Sequence, residues 1–213
     1  MIRVKICGIT RSEDAELAAY LGASAIGFIF YPKSPRYITP LKAREIRQNL
    51  PPFVHTVGVF VNEEPKTIKE IANFVGLDFV QLHGNESPSI CEKFFPKVIK
   101  AFRVREEKDL KQISAYQGKV SAILLDTYVK GEPGGTGKIF DWRLAIKAKE
   151  FGLPLILAGG LNPENVLKAI REVSPYAIDL SSGVEMAPGL KHPFLLKELF
   201  KKLKENLCKI QKV

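Results

Sequence analysis

Sulfur is scarce in this chain and unpatterned. Three cysteines, Cys7, Cys91 and Cys208, are scattered over 213 residues, and none forms a C-x-x-C pair. An odd, dispersed set argues against a disulfide framework or a zinc site and fits a reducing cytoplasm. Long apolar runs are missing too. Nothing approaches the roughly 20 residues of a membrane-spanning helix, and Met1-Ile2-Arg3-Val4-Lys5 enters a strand without the layout of a signal peptide. No Pro/Ser/Gly-rich linker or low-complexity tract divides the chain, so residues 1–213 are expected to form one domain. No G-x-G-x-x-G follows the first strand, and no G-x-x-x-x-G-K-[ST] occurs. No His/Asp/Glu cluster has metal-ligand spacing. Neither a cofactor nor a metal is expected.

Acid is the scarcer charge: 32 Lys and Arg face 23 Asp and Glu, a net +9. Much of the excess is assigned to the last helix, where Lys191, Lys197, Lys201, Lys202, Lys204, Lys209 and Lys212 face only Glu198 and Glu205. Phe194, Leu195, Leu199, Leu203 and Leu207 keep helical apolar spacing among them. The pattern reads as a helix packed on one side and wetted on the other. With no recognised RNA or DNA module beside it, the charge is assigned to a solvated face rather than to nucleic acid. It can still draw in a phosphate-bearing substrate.

What the chain does have is alternation. Short strands rich in Val, Ile, Leu and Phe are expected at Ile2–Cys7, Ala25–Phe30, His55–Val61, Phe79–His83, Val98–Arg103, Ala122–Asp126, Leu155–Ala158 and Ala177–Leu180. They lack clean polar alternation, as parallel strands covered on both faces do. Helical patterns fall between them, at Ser12–Leu21, Leu41–Asn49, Pro65–Val75, Pro88–Phe95, Asp109–Tyr116, Trp142–Phe151, Pro163–Val173 and from Pro193 onward. Asn162-Pro163-Glu164, Ser12-Glu13-Asp14 and Thr39-Pro40 look like helix starts. Eight strand–helix units point to a closed (β/α)8 TIM barrel, with a doubly wound open sheet as the competitor.

In such folds the carboxyl ends of the strands converge on the face that carries chemistry. Cys7 ends the first strand and Asp126 the sixth, so a thiol and a carboxylate stand as a possible base and acid. Lys5 shares the Cys7 face and is expected to help stabilise a thiolate. Cys91, inside a helical pattern, reads as a small buried apolar residue. After Asp126 comes the glycine-rich stretch 127–138, suited to a mobile lid or a backbone wrapped round a ligand. Gly159 and Gly160 follow strand seven, and Ser181, Ser182 and Gly183 follow strand eight. Backbone N–H groups in these two places form the recurrent phosphate site of the fold. Arg36, in the proline-stiffened Tyr31-Pro32-Lys33-Ser34-Pro35-Arg36-Tyr37, is either an ordinary exposed arginine or a bidentate grip on a substrate carboxylate. His83 reads equally as a satisfied barrel histidine or a substrate contact.

Lys5-Ile6-Cys7-Gly8-Ile9-Thr10, Gly27-Phe28-Ile29-Phe30 with Ser34-Pro35-Arg36, and Val80-Gln81-Leu82-His83-Gly84 belong to one larger pattern. Leu125-Asp126-Thr127 with Gly134-Gly135-Thr136-Gly137, Leu157-Ala158-Gly159-Gly160-Leu161 and Asp179-Leu180-Ser181-Ser182-Gly183-Val184-Glu185 continue it. Together they resemble the phosphoribosylanthranilate isomerase family of tryptophan biosynthesis, in order and over nearly the whole chain. The resemblance implies a cofactor-free barrel that carries out an Amadori rearrangement of N-(5′-phosphoribosyl)anthranilate. It implies Asp126 as general acid at the furanose ring oxygen and Cys7 as general base at C2′. Arg36 would hold the aryl carboxylate, the loops after strands seven and eight the phosphate, and Asp179 the sugar hydroxyls. The implied partner is a small phosphoribosyl substrate, with no nucleic acid or membrane, and the chain a monomer or homodimer. Rival expectations are another phosphosugar barrel, an epimerase or an aldolase using Lys5 or Lys100, or a basic phosphate-binding protein for nucleic acid.

Overall fold

The structure is a computed structural model that describes the backbone of residues 2–127 and 142–210, and their side chains except at 127 and 207–210. Eight parallel strands close into a barrel in sequence order. They are β1 (Arg3–Cys7), β2 (Ala25–Ile29), β3 (His55–Phe60), β4 (Phe79–Leu82), β5 (Val98–Val104), β6 (Ala122–Thr127), β7 (Leu155–Leu157) and β8 (Ala177–Leu180). Closure is made by β8 pairing with β1, with Lys5 opposite Asp179. That pairing excludes the open sheet.

Parallel neighbours in register point to the same side of the sheet, so one face can be followed round the barrel. Cys7 pairs with Gly27, Gly27 with Val57, Val59 with Gln81, Gln81 with Ile99, and Arg103 with Asp126. Val57, Ile99, Ala101, Ala122, Leu124, Ile156, Ala158 and Ala177 form a separate apolar cluster on this inner face. Above it, toward the carboxyl ends of the strands, the same face carries Lys5, Cys7, Gln81, Arg103, Asp126 and Asp179. The outer face, with Ile6, Ile26, Phe28, Leu82, Ile123 and Ile178, packs against the helices in the main core. The barrel is thus apolar below and polar at its mouth.

The helices are α1 (Ser12–Leu21), α2 (Pro40–Gln48), α3 (Pro65–Val75), α4 (Pro88–Glu92), α5 (Trp142–Ala148), α6 (Val166–Val173) and α7 (Pro193–Ile210). Thr39 caps α2 by accepting from the Lys42 N–H, with Pro40 at the first position. Ser12 opens α1, but the cap position is Arg11, without a side-chain cap. The segment expected to be helical at Asp109–Tyr116 is a 3₁₀ helix over Glu107–Tyr116. Its buried residues Leu110, Ile113 and Tyr116 recur every third position, which is the 3₁₀ repeat rather than the α repeat. Helix α4 stops short of the expected Phe95, and α5 ends in a 3₁₀ turn at Lys149–Phe151.

Asn162 does not cap α6 directly. Its Oδ1 accepts from the N–H groups of Glu164 and Asn165 at 2.9 and 3.0 Å, forming a turn ahead of the helix. A hairpin absent from the expected elements, β9 (Glu185–Ala187) and β10 (Leu190–Lys191), folds back over the mouth between β8 and α7. Its two-residue turn is Pro188-Gly189. Among the described residues, no helix is long and apolar enough to cross a membrane.

Candidate active site

A cavity of about 340 Å³ opens at the barrel mouth, and Cys7, Arg36, His83, Asp126 and Asp179 all line it. Gly159, Gly160, Ser181 and Ser182 line it too, on the β7–β8 side. The structure therefore gathers nine of the ten expected site residues in one hollow. The tenth, Gly183, sits just behind. A Cβ there would lie 1.9 Å from the Leu161 carbonyl oxygen, so only glycine lets the two loops touch. Stretch 128–138, read as a lid, lies outside the described residues, Gly134–Lys138 included.

Cys7 is buried at the end of β1. The chain turns away at Gly8, whose φ of 74° is left-handed, and a Cβ there would meet the Arg36 side chain at 2.6 Å. Lys5, one inward position below, donates to Asp179 Oδ2 at 2.9 Å. The expected thiolate-stabilising lysine is thus already matched by a carboxylate. Burial pushes the Cys7 thiol above its ordinary value; Lys5 pulls the other way, and Asp179 adds to the rise. The positive surroundings expected for Cys7 are outweighed by its loss of water. For Lys5 burial favours the neutral form, but the Asp179 carboxylate, then Cys7, raises it overall. Cys91 is buried, as expected of a small apolar residue within a helical pattern, and burial raises its thiol to about 11.

On the opposite wall Asp126 Oδ2 stands 3.5 Å from His83 Nε2. Gln81 Nε2 faces His83 Nδ1 at 3.0 Å. A carboxamide nitrogen can only donate, so Nδ1 accepts and the imidazole proton sits on Nε2, toward Asp126. His83 is therefore both a held barrel histidine and a cavity residue. Arg103, opposite Asp126 in register, donates from Nη2 to the His83 carbonyl at 3.2 Å.

Arg36 is not an exposed arginine. It is buried, and Glu185 takes its Nε at 3.0 Å and its Nη2 at 2.7 Å in a side-on fork. The guanidinium is aimed by this carboxylate, which leaves its Nη1–Nη2 edge for a second, end-on anion. Glu185 is itself held by Lys191, whose Nζ donates to Oε1 at 2.7 Å. Burial would raise the Glu185 carboxyl, but Arg36 and Lys191 hold it below the usual carboxylate range. Lys191 was grouped with the wetted lysines near the carboxyl end; the structure buries it completely, because the Pro188-Gly189 turn swings it back under the mouth.

Two buried polar atoms facing this region have no hydrogen-bond partner: Asp179 Oδ1 and Ser181 Oγ. Polar atoms so placed cost free energy unless a ligand or water meets them. They mark where a hydroxylated, anionic molecule would be held. The β7 loop is ordered by residues that sequence reasoning passed over. Asn165 Nδ2 donates to the Gly160 carbonyl at 2.9 Å, and Asn165 Oδ1 accepts from Asn162 N–H at 2.9 Å. Glu185, Lys191, Gln81 and Asn165 were all visible as residues, but their partners lie far off in sequence or across a turn. Lys100 is no Schiff-base candidate. Its Nζ is buried against Glu86 at 3.0 Å and the Gly84 carbonyl at 2.8 Å, and it does not line the cavity.

Residues 4–202 match the family described as N-(5′-phosphoribosyl)anthranilate (PRA) isomerase. An N-(5′-phosphoribosyl)anthranilate isomerase of Trichlorobacter lovleyi is 50% identical over 207 residues, covering 97% of this chain and 100% of the relative. A crystal structure of phosphoribosyl anthranilate isomerase in complex with reduced 1-(o-carboxyphenylamino)-1-deoxyribulose 5-phosphate superposes with a TM-score of 0.86. It is 48% identical and covers 96% of this chain and 100% of that one. A structure of mutually generated monomers of the dimeric enzyme from Thermotoga maritima has the same TM-score, 0.86, at 46% identity, again covering 96% and 100%.

Proposed function

The chain belongs to the N-(5′-phosphoribosyl)anthranilate isomerase family, and from that premise we propose how its mouth performs the aldose-to-ketose isomerisation. The enzyme converts N-(5′-phosphoribosyl)anthranilate into 1-(o-carboxyphenylamino)-1-deoxyribulose 5-phosphate, a step of tryptophan biosynthesis. Each end of the substrate has a matching wall. The phosphate is held by backbone N–H groups at Gly159-Gly160 and Ser181-Ser182-Gly183, and the aryl carboxylate by the free edge of Arg36. Asp179 Oδ1 accepts a sugar hydroxyl. The pentose then lies between the thiol of Cys7 and the carboxyl of Asp126.

Ring opening begins when Asp126 gives its proton to the furanose oxygen while the C1′–O bond breaks. The anthranilate nitrogen supplies its lone pair to C1′, forming a protonated Schiff base. Cys7, as thiolate, takes the C2′ proton, and the C2′–H electrons form a C1′=C2′ bond as the iminium is neutralised. The resulting enolamine becomes the ketone when its hydroxyl loses a proton and C1′ gains one, which restores both catalytic groups. His83 keeps Asp126 facing the sugar. The protein supplies the acid, the base and their placement, and turnover needs no metal or nucleotide.

The observation that carries this reading is the shared cavity: Cys7 and Asp126 lie on non-adjacent strands yet line one hollow with Arg36 and the two phosphate loops. The test is loss of substrate fluorescence in the presence of chelator. Cys7→Ala and Asp126→Asn should each lower kcat by about 10²- to 10⁴-fold, the usual worth of a placed acid or base. Competition by inorganic phosphate should be unchanged. Wild-type kcat in either variant removes that residue from its role. Residues 1–213 act as one catalytic domain, monomeric or paired as in the dimeric T. maritima relative, and larger assemblies in sedimentation would contradict this. The cytoplasm is the proposed compartment, supported by the free cysteines Cys7 and Cys91.

A further inference from the structure

The β9–β10 hairpin places one ammonium group at the junction of three elements that the proposed function assigns to three different parts of the substrate. Lys191 Nζ donates to the Cys7 carbonyl at 2.5 Å, to the Ser181 carbonyl at 3.3 Å and to Glu185 Oε1 at 2.7 Å. A lysine ammonium has three protons and no acceptor, so these contacts exhaust it. Its side chain is 0% exposed and its backbone N–H is held by Asp14 Oδ2 at 3.1 Å, so it does not reach the cavity. The hairpin is further fixed by Thr10 Oγ1 donating to the Gly189 carbonyl at 2.6 Å, and by Gly189 N–H donating to Glu185 Oε1 at 3.2 Å.

We propose that Lys191 is a positioning residue that sets the spacing between the base, the phosphate loop and the carboxylate clamp. The inference rests on the reading given above: Cys7 meets C2′, Ser181 borders the phosphate, and Glu185 aims Arg36 at the aryl carboxylate. The tetrahedral directions of one –NH₃⁺ fix where the β1 terminus, the β8 terminus and the Glu185–Arg36 fork stand relative to each other. Such a device acts on the linked substrate more than on its pieces. Each wall can hold its own fragment after a small shift. Holding both ends while presenting C2′ to sulfur requires the spacing itself, and misplacement by about 1 Å can cost about 10²-fold in rate. A purely structural lysine would behave differently, weakening every interaction of the mouth together.

The experiment compares wild type and Lys191→Met in kcat/KM for phosphoribosylanthranilate, and in the inhibition constants of ribose 5-phosphate and of anthranilate as separate competitors. Expected is a fall of about 10²-fold in kcat/KM, with each fragment's constant moving less than about 3-fold. A kcat/KM within that same small factor of wild type overturns the proposal. So does a loss of fragment affinity matching the loss of kcat/KM. If Lys191→Met does not fold, Glu185→Asp decides by the same criteria, since it withdraws the carboxylate by one methylene and keeps every charge. Absence of turnover by the wild-type chain would instead strike the functional reading on which the assignment rests.

Discussion

Replacing Lys5 by methionine perturbs the charge arrangement under Cys7 with little change of shape. The Lys5 and Asp179 side chains are 5% and 9% exposed and lie 2.9 Å apart. Removing one partner of such a pair strands the other charge in a poorly solvated place, which costs about 3–5 kcal/mol. An exposed pair would cost about 0–1 kcal/mol. For a chain of this length, each kcal/mol moves the melting temperature by about 2–4 °C, so the variant should melt roughly 6–20 °C lower. Lys5→Met/Asp179→Asn, with neither charge left, should recover most of the loss. A second readout is the alkylation rate of Cys7 at pH 8, followed peptide by peptide. Lys5 lowers the thiol and Asp179 raises it, so Lys5→Met should slow the reaction and Asp179→Asn should speed it. A loss below about 1 kcal/mol, or alkylation unmoved in both single variants, would refute the idea that this pair governs the base.

Two further outcomes are expected. Gly183→Ala forces a Cβ to within 1.9 Å of the Leu161 carbonyl oxygen and should pry the phosphate loops apart. KM and the inhibition constant of inorganic phosphate should both rise by at least about tenfold, and stability should fall by about 1–3 kcal/mol, as overpacking does; unchanged phosphate inhibition would separate Gly183 from the phosphate. Because burial raises the Cys7 thiol and the thiolate is the working form, the base fraction at neutral pH is small and grows as protons are withdrawn. The alkylation rate of Cys7 should therefore keep rising with pH beyond the ordinary thiol value of about 8.5, whereas a plateau reached below neutrality would contradict a thiol raised by burial.

The barrel was legible because each strand is short and rich in Val, Ile, Leu, Ala and Phe, and each is followed by a helical pattern. Strand limits such as Ala177–Leu180 and helix limits such as Ser12–Leu21 and Pro65–Val75 coincide with the structure. Cys7, His83 and Asp126 were legible because they stand at or just past the carboxyl ends of strands. What escaped was whatever depends on a partner. The same letters at Glu107–Tyr116 allow an α or a 3₁₀ helix until burial selects every third side chain. Lys191 looked like one more wet lysine because its three acceptors are contributed by Cys7, Ser181 and Glu185, and the turn that brings it to them is only two residues long. Arg36 could be read as a grip for an anion, but the internal carboxylate already in one of its forks could not.

The seam between the first and last strands has a consequence for how the enzyme comes into being. Seven of the eight pairings in the barrel join strands consecutive in sequence, and the β8–β1 pairing spans the chain; the ties across it, Lys5 to Asp179 and Lys191 to Cys7, bridge 174 and 184 residues. A polypeptide still emerging from the ribosome holds its nucleophilic sulfur long before the strand that closes the barrel. It has no counter-ion for Lys5 and no anchor for the Cys7 carbonyl until the final strand and hairpin arrive. Local pairings form fast and distant ones late, so catalytic competence should appear abruptly once the closing strand and hairpin are made rather than accumulate strand by strand.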